Sequence, residues 1–551
     1  MTARNQNGGR KAGWAHRDAP HLAPDLMILN ATIRTLDQNH PRAGALAVLG
    51  NCIVAVGSTE EIRALAGRKT RVIEAGENLV LPGFNDSHVH FLSGGFSLSQ
   101  VQLRDAKSPE ELARRLRDYV QKIPKGRWIL GGDWDHENWP GAPLPTKALI
   151  DAATPQHPVS VSRLDGHTLL ANHLALKISG VTKSTPCPPG GEIVRDPRGE
   201  PTGIFKDTAQ DLIKVPPPSW EEKWRAARAA TEHAAKLGVT SLTDMSADGD
   251  VGLYQFMARR GELKTRVYAV RSIVTWAVLQ RAGVRAAFGD DLVRFGALKG
   301  FADGSLGSTT AKFFEPYADA PETSGLWFEH MLPPGTMERR VLEADRAGLQ
   351  VMIHAIGDEA NAKILDLFRD VAKQNGSRDR RFKIEHAQHV RPRDLARFGR
   401  QNVIASAQPY HAADDGRWCD RRIGPARARS AYAFRSLLDT GAVLALGTDW
   451  TVAPLNPLLT IKAAVTRQTL DGKFPGGWNP QEKISVAEAV RAYTLGSAYA
   501  EFAEDKKGTL TPGKLADCVM LDRDIFEIEP AEIAKAKVIL TLMDGRVVYE
   551  A

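Results

Sequence analysis

Eight short apolar stretches recur along the chain, at 80–84, 239–244, 266–273, 292–301, 349–354, 382–386, 403–408 and 443–448. Each runs into polar or charged residues at its C-terminal end. Between them lie helix-like segments, of which 221–237 and 359–374 show the clearest apolar spacing. Strands alternating with helices predict a parallel sheet, and eight such units predict a (β/α)8 barrel of the TIM type. In that architecture the functional side chains gather at the C-terminal ends of the strands. The interval from 84 to 239 is far too long for an ordinary connection. Its part 96–218 has its own helix (109–121), a Trp-containing turn (133–140) and a proline-rich exit at Pro216, Pro217 and Pro218. It reads as an inserted subdomain leaving the top of the first strand, placed to cover a substrate.

The two ends of the chain read differently. Residues 25–36 and 45–57 give short strands around the Gly50-Asn51 turn, and 517–522, 538–543 and 546–549 give a matching set with Asp544-Gly545 as a hairpin turn. Chain ends often meet in space, so 24–79 and 505–551 are expected to form one small β-sandwich domain. The barrel would then be 80–95 with 219–504. Residues 1–23 are polar, basic and Gly-containing, without the apolar core of a signal peptide, and read as a flexible tail. Cys52, Cys187, Cys419 and Cys518 lie far apart with no Cys-x-x-Cys pair, which favours a reducing, cytoplasmic setting over a disulfide framework. The excess of 72 Lys and Arg over 65 Asp and Glu is small for 551 residues. Its densest cluster (Arg417, Arg421, Arg422, Arg427, Arg429, Arg435) carries no nucleic-acid motif and reads as a solvated loop. No apolar run reaches membrane-spanning length.

Ligand-type residues fall where the barrel would collect them. His88 and His90 follow the apolar run 80–84 and share one face of an extended segment, because side chains there alternate. His354 and His386 end two later strands, and Asp449 follows the last. His389 is a competing ligand by type. Lys299 sits inside an otherwise apolar strand, where a lysine usually reaches for water. Asp303, beside Gly304 and Ser305, suggests a loop that shapes the pocket. With it, Trp134, Asp135, Trp139, His167, Gln408 and His411 are candidates for the substrate wall.

These residues resemble the amidohydrolase superfamily. The resemblance is carried by Pro82-Gly83-Phe84-Asn85-Asp86-Ser87-His88-Val89-His90 and by the C-terminal segment 508–522. The narrower match is to amidohydrolase family 3, which includes YtcJ-like hydrolases and N-substituted formamide deformylases. It rests on the segment 301–311, on Trp139-Pro140-Gly141 and on Leu164-Asp165-Gly166-His167. The resemblance implies that His88 and His90 bind one metal, that His354 and His386 bind a second, that Lys299 bridges them as its carbamate, and that Asp449 completes the first site. It implies hydrolysis of a carbon–nitrogen bond in an amide, N-acyl or N-formyl group, with Asp449 accepting the proton of the attacking water. Imidazole and carboxylate ligands suit zinc, as one or two ions, with iron or manganese as alternatives. A cyclic-amide hydrolase or a deaminase would use the same ligands. A non-catalytic regulatory or binding protein would keep the fold without needing Asp449. The expected partner is a small-molecule amide, neither nucleic acid nor membrane, and a homodimer is allowed.

Overall fold

The computed structural model describes residues 23–245 and 250–551; the expected tail, apart from residue 23, lies outside them. Eight parallel strands form a nearly closed barrel: β1 (Phe84–Val89), β2 (Val239–Asp244), β3 (Arg266–Ser272), β4 (Val293–Phe301), β5 (Gln350–Ala355), β6 (Lys383–His386), β7 (Ile404–Ala407) and β8 (Leu444–Leu446). The ring closes where β8 returns to β1. The Asp449 amide donates to the His88 carbonyl at 2.7 Å, and the His90 amide donates to Trp450 at 2.6 Å. Gly447 makes this approach possible, since a Cβ there would stand 2.7 Å from the His88 nitrogen and from Asp86 Oδ1.

The helices pack by their apolar stripes. Trp220–Lys236 starts at a capping box, Ser219 with Glu222, and buries Ala226, Ala227, Ala230 and Ala234 against the barrel. The small alanine face permits a close approach to the helix Phe91–Ser97, where a Cβ at Gly95 would meet the Ala226 carbonyl at 2.0 Å.

Residues from both chain ends build two further sheets. One has the order Cys52–Gly57, Ala45–Leu49, Leu26–Leu29, Arg71–Glu74. The other runs Arg546–Glu550, Val538–Met543, Cys518–Leu521, Leu79–Pro82, Thr32–Arg34, Arg42–Ala43. Leu26, Ile28, Leu46 and Val48 of the first meet Val80, Met520, Leu540 and Leu542 of the second. The alternate residues Met27 and Leu29 pack instead on Ile62 of the helix Thr59–Arg63, as a period of two requires.

The first barrel strand is therefore not at 80–84. Leu79–Pro82 pairs with Cys518–Leu521 and with Thr32–Arg34 in the terminal sheet, and the barrel begins at Phe84. The segment between β1 and β2 carries its own six-stranded sheet, in the order Gly191–Arg195, Pro201–Asp207, Thr168–Ala171, Val159–Arg163, Ile129–Trp134, Val101–Gln102. Among the described residues no helix is long and apolar enough to cross a membrane.

Candidate metal centre and its cavity

His88 is fixed by what lies behind it. Its Nδ1 is 2.6 Å from Glu385 Oε2, and a carboxylate can only accept, so Nδ1 carries the proton and Nε2 keeps its lone pair. That Nε2 faces Asp449 Oδ1 at 3.5 Å. Both atoms are buried with no hydrogen-bond partner. His386 repeats the device, with Nδ1 2.8 Å from Gln408 Oε1. One ligand atom from each of His88, His386 and Asp449 lies within 4.8 Å of the others. His90 Nε2 is 3.2 Å from Asp449 Oδ1. His354 donates from Nε2 to the Gly304 carbonyl at 3.0 Å, and its ring centroid lies 4.6 Å from that of His386.

Two lone-pair atoms facing each other in a buried site, with no proton between them, repel unless a cation sits nearby. The donor set thus fits a divalent metal. Burial, reinforced by Lys299, pushes His88 down to about 4, so its imidazole is neutral. Burial opposes the charged form of Asp449, but its carboxyl is held well below its usual range, with His90 Nε2 at 3.2 Å as the contact that can donate to it.

Asp86 ties the supporting strands together. It accepts from the Thr448 amide (2.9 Å), the Thr448 hydroxyl (2.7 Å) and the Tyr493 hydroxyl (2.6 Å), linking β1 to the turn that presents Asp449. Lys299 is 3% exposed within β4, its Nζ 4.8 Å from the Phe301 ring centre. Burial lowers it to about 8, although Glu385 and Asp449 favour its charge.

His88, His90, Lys299, His354, His386 and Asp449 line a cavity of about 630 Å³, and the inserted sheet supplies part of its wall. Of the residues expected on the substrate wall, Asp135, His167 and His411 are there. Trp134, Trp139, Asp303 and Gln408 are not, and the expectation is corrected for each. Trp134 is fully buried in the core of the insert, donating to the Val161 carbonyl at 2.9 Å and stacking on Trp139. Asp303, also fully buried, accepts from the amides of Lys312, Ile356 and Gly357 at 2.8, 3.0 and 2.8 Å, which fixes the loop after β5. Gln408 stands behind His386 and orients it. His389 is turned away from the centre, its Nε2 3.1 Å from Gln388 Nε2.

Sequence reasoning missed the buried ionic frame of the wall. Arg163 pairs with Asp135 (3.0 Å) and Asp165 (2.6 Å), and Asp165 accepts from Ser305 and Ser308 across to the barrel. Asp207 meets His167 Nδ1 at 2.6 Å; burial disfavours the imidazolium, but this contact outweighs it and raises the pKa. The only signal for this frame was the Leu164–His167 motif itself.

The difference between wall and core is measurable. Replacing His167 by Asn is expected to change KM or substrate preference while metal content holds. Replacing Trp134 by Ala should instead cost ~3–5 kcal/mol of stability through an empty core site. Denaturant unfolding and steady-state kinetics on both variants check the split. Wild-type kinetics in the first variant would move His167 to a structural role.

Fold and site together define a (β/α)8 barrel whose rim gathers histidine and carboxylate side chains that could hold a metal. Residues 71–549 match the model of the amidohydrolase family, and the chain belongs to that family. It is 39% identical to Protein LONG AFTER FAR-RED 3 of Arabidopsis thaliana, over 96% of this chain and 92% of that one. Identity is 32% to the putative amidohydrolase YtcJ of Bacillus subtilis (94% and 98% covered) and 26% to N-substituted formamide deformylase of Arthrobacter pascens (96% and 98%). A solved structure, an uncharacterized metal-dependent hydrolase from Pyrococcus horikoshii, superposes with a TM-score of 0.74 at 29% identity, covering 92% of this chain and 99% of that one.

Proposed function

We propose that the chain is a metal-dependent hydrolase that cleaves a carbon–nitrogen bond, in an amide, N-acyl or N-formyl group. The observation that carries this reading is the buried, proton-free pair His88 Nε2 and Asp449 Oδ1, open to the cavity and joined by His386. The formamide deformylase relative supports the bond type.

His88, His90, His354, His386 and Asp449 would hold the metal, zinc before iron or manganese, with Lys299 adding an anionic ligand as its carbamate. When bound, such an ion polarises a carbonyl and makes water acidic enough to attack at neutral pH. Asp449 takes the proton of that water and returns it to the leaving nitrogen. Asp135, His167 and His411 line the same cavity and would hold the substrate there, His411 beside Asp449 and His167 beside His354.

Purified protein is expected to carry about one to two equivalents of transition metal. His88→Ala and His90→Ala should lower that content and abolish turnover. A panel of N-formyl amines, N-acyl amino acids, hydantoins and lactams assigns the bond. Hydrolysis confined to the ring substrates would shift the reading to a cyclic-amide hydrolase. Metal-loaded protein that turns over nothing across the panel would point to a binding protein, and full activity without metal would reject the proposal.

A further inference from the structure

Strand β6 reads Lys383-Ile384-Glu385-His386, an ion pair inside a barrel strand. Alternation places Lys383 and Glu385 on one face and Ile384 on the other. Both charged side chains are fully buried, with Lys383 Nζ 3.2 Å from Glu385 Oε1 and 3.3 Å from the Ser87 carbonyl. The other carboxylate oxygen goes to His88 Nδ1 at 2.6 Å. Stability does not account for the pair, since apolar side chains of similar volume hold such a position at least as well. Glu385 also favours the charge of Lys299, but its one close contact besides Lys383 among the described residues is the His88 imidazole.

A neutral imidazole carries one proton and could place it on either nitrogen. With the proton on Nε2, His88 would donate toward Asp449 Oδ1, 3.5 Å away. The two ligand atoms would then satisfy each other and be lost to a cation. We propose that Glu385 is a positioning residue that holds His88 in the Nδ1–H tautomer, and that Lys383 anchors Glu385 for this task. The inference rests on the reading of His88 as a metal ligand, and the experiment separates the two.

In metal-free protein with 15N-labelled histidine, His88 is expected to show Nδ1–H. Glu385→Leu removes the acceptor at similar volume and should move the proton to Nε2. Zinc affinity, measured by competition with a chromophoric chelator, should fall roughly 10- to 100-fold, the range for such supporting contacts. The double variant Glu385→Gln with Lys383→Met keeps an acceptor oxygen without the charges, and should keep the tautomer and zinc affinity within a few-fold. An unchanged tautomer or unchanged zinc affinity in folded Glu385→Leu would overturn the inference. Should that variant not fold, the double variant decides alone: a tenfold loss there would make charge, not the tautomer, the cause. His88→Ala that binds zinc as wild type would instead reject the metal site itself.

Discussion

Asp449→Asn is expected to lower turnover by at least ~10²-fold, in line with loss of a positioned proton acceptor, while much of the metal stays bound. The side chain sits at the junction of β8 and β1, with its Oδ1 3.2 Å from His90 Nε2 and 3.5 Å from His88 Nε2. Its carboxyl lies well below its usual range despite burial, with His90 as the neighbour able to donate to it. Asparagine keeps the size and one carbonyl oxygen but cannot take up a proton. A fall in kcat with metal content retained assigns the base to Asp449. A parallel loss of metal and activity would make it a ligand only, and near-normal turnover would reject both roles.

The barrel was legible because its strands are apolar and end in ligand types, and β2 to β8 lie close to where the sequence puts them. The exception is instructive. β1 reads Phe84-Asn85-Asp86-Ser87-His88-Val89, with four consecutive polar residues that are all buried. Hydropathy therefore favours the neighbouring Leu79–Pro82, which belongs to the terminal sheet. Burial of those polar groups is sustained by partners from distant parts of the chain: Glu501 for Asn85, Thr448 and Tyr493 for Asp86, Ser406 for Ser87, Glu385 for His88. No local pattern announces such partners.

The same limit explains the substrate wall. His88, His90, His354, His386 and Asp449 could be named as candidates because strand ends share one rim. Trp134 and Gln408 could not be sorted from true cavity residues, because facing the cavity or backing it depends on packing between elements remote in sequence. Glu385 was passed over although it directly precedes His386. A carboxylate inside an apolar strand has no spacing rule, and only the fold brings it to His88.

Lys299→Ala is expected to cost about one metal equivalent and nearly all activity, with partial recovery in a short-chain carboxylate. An ammonium next to divalent cations is repelled, and burial already weakens it: Lys299 is lowered to about 8 despite Glu385 and Asp449. Near neutral pH a fraction of the amine is therefore free to attack carbon dioxide. The N–C bond would form as one C=O π pair moves to oxygen and the nitrogen loses a proton to solvent, so that the neutral amine becomes a carbamate whose two oxygens share one negative charge. The change matters for charge, because four imidazoles contribute none and Asp449 contributes one. An added carboxylate can occupy the space that alanine leaves, whereas an added amine cannot supply the missing charge. Labelled carbon dioxide should give a carbamate carbon signal in the wild-type protein that is missing from Lys299→Ala. Active, fully metal-loaded enzyme showing a bare amine at atomic resolution would remove Lys299 from the metal centre.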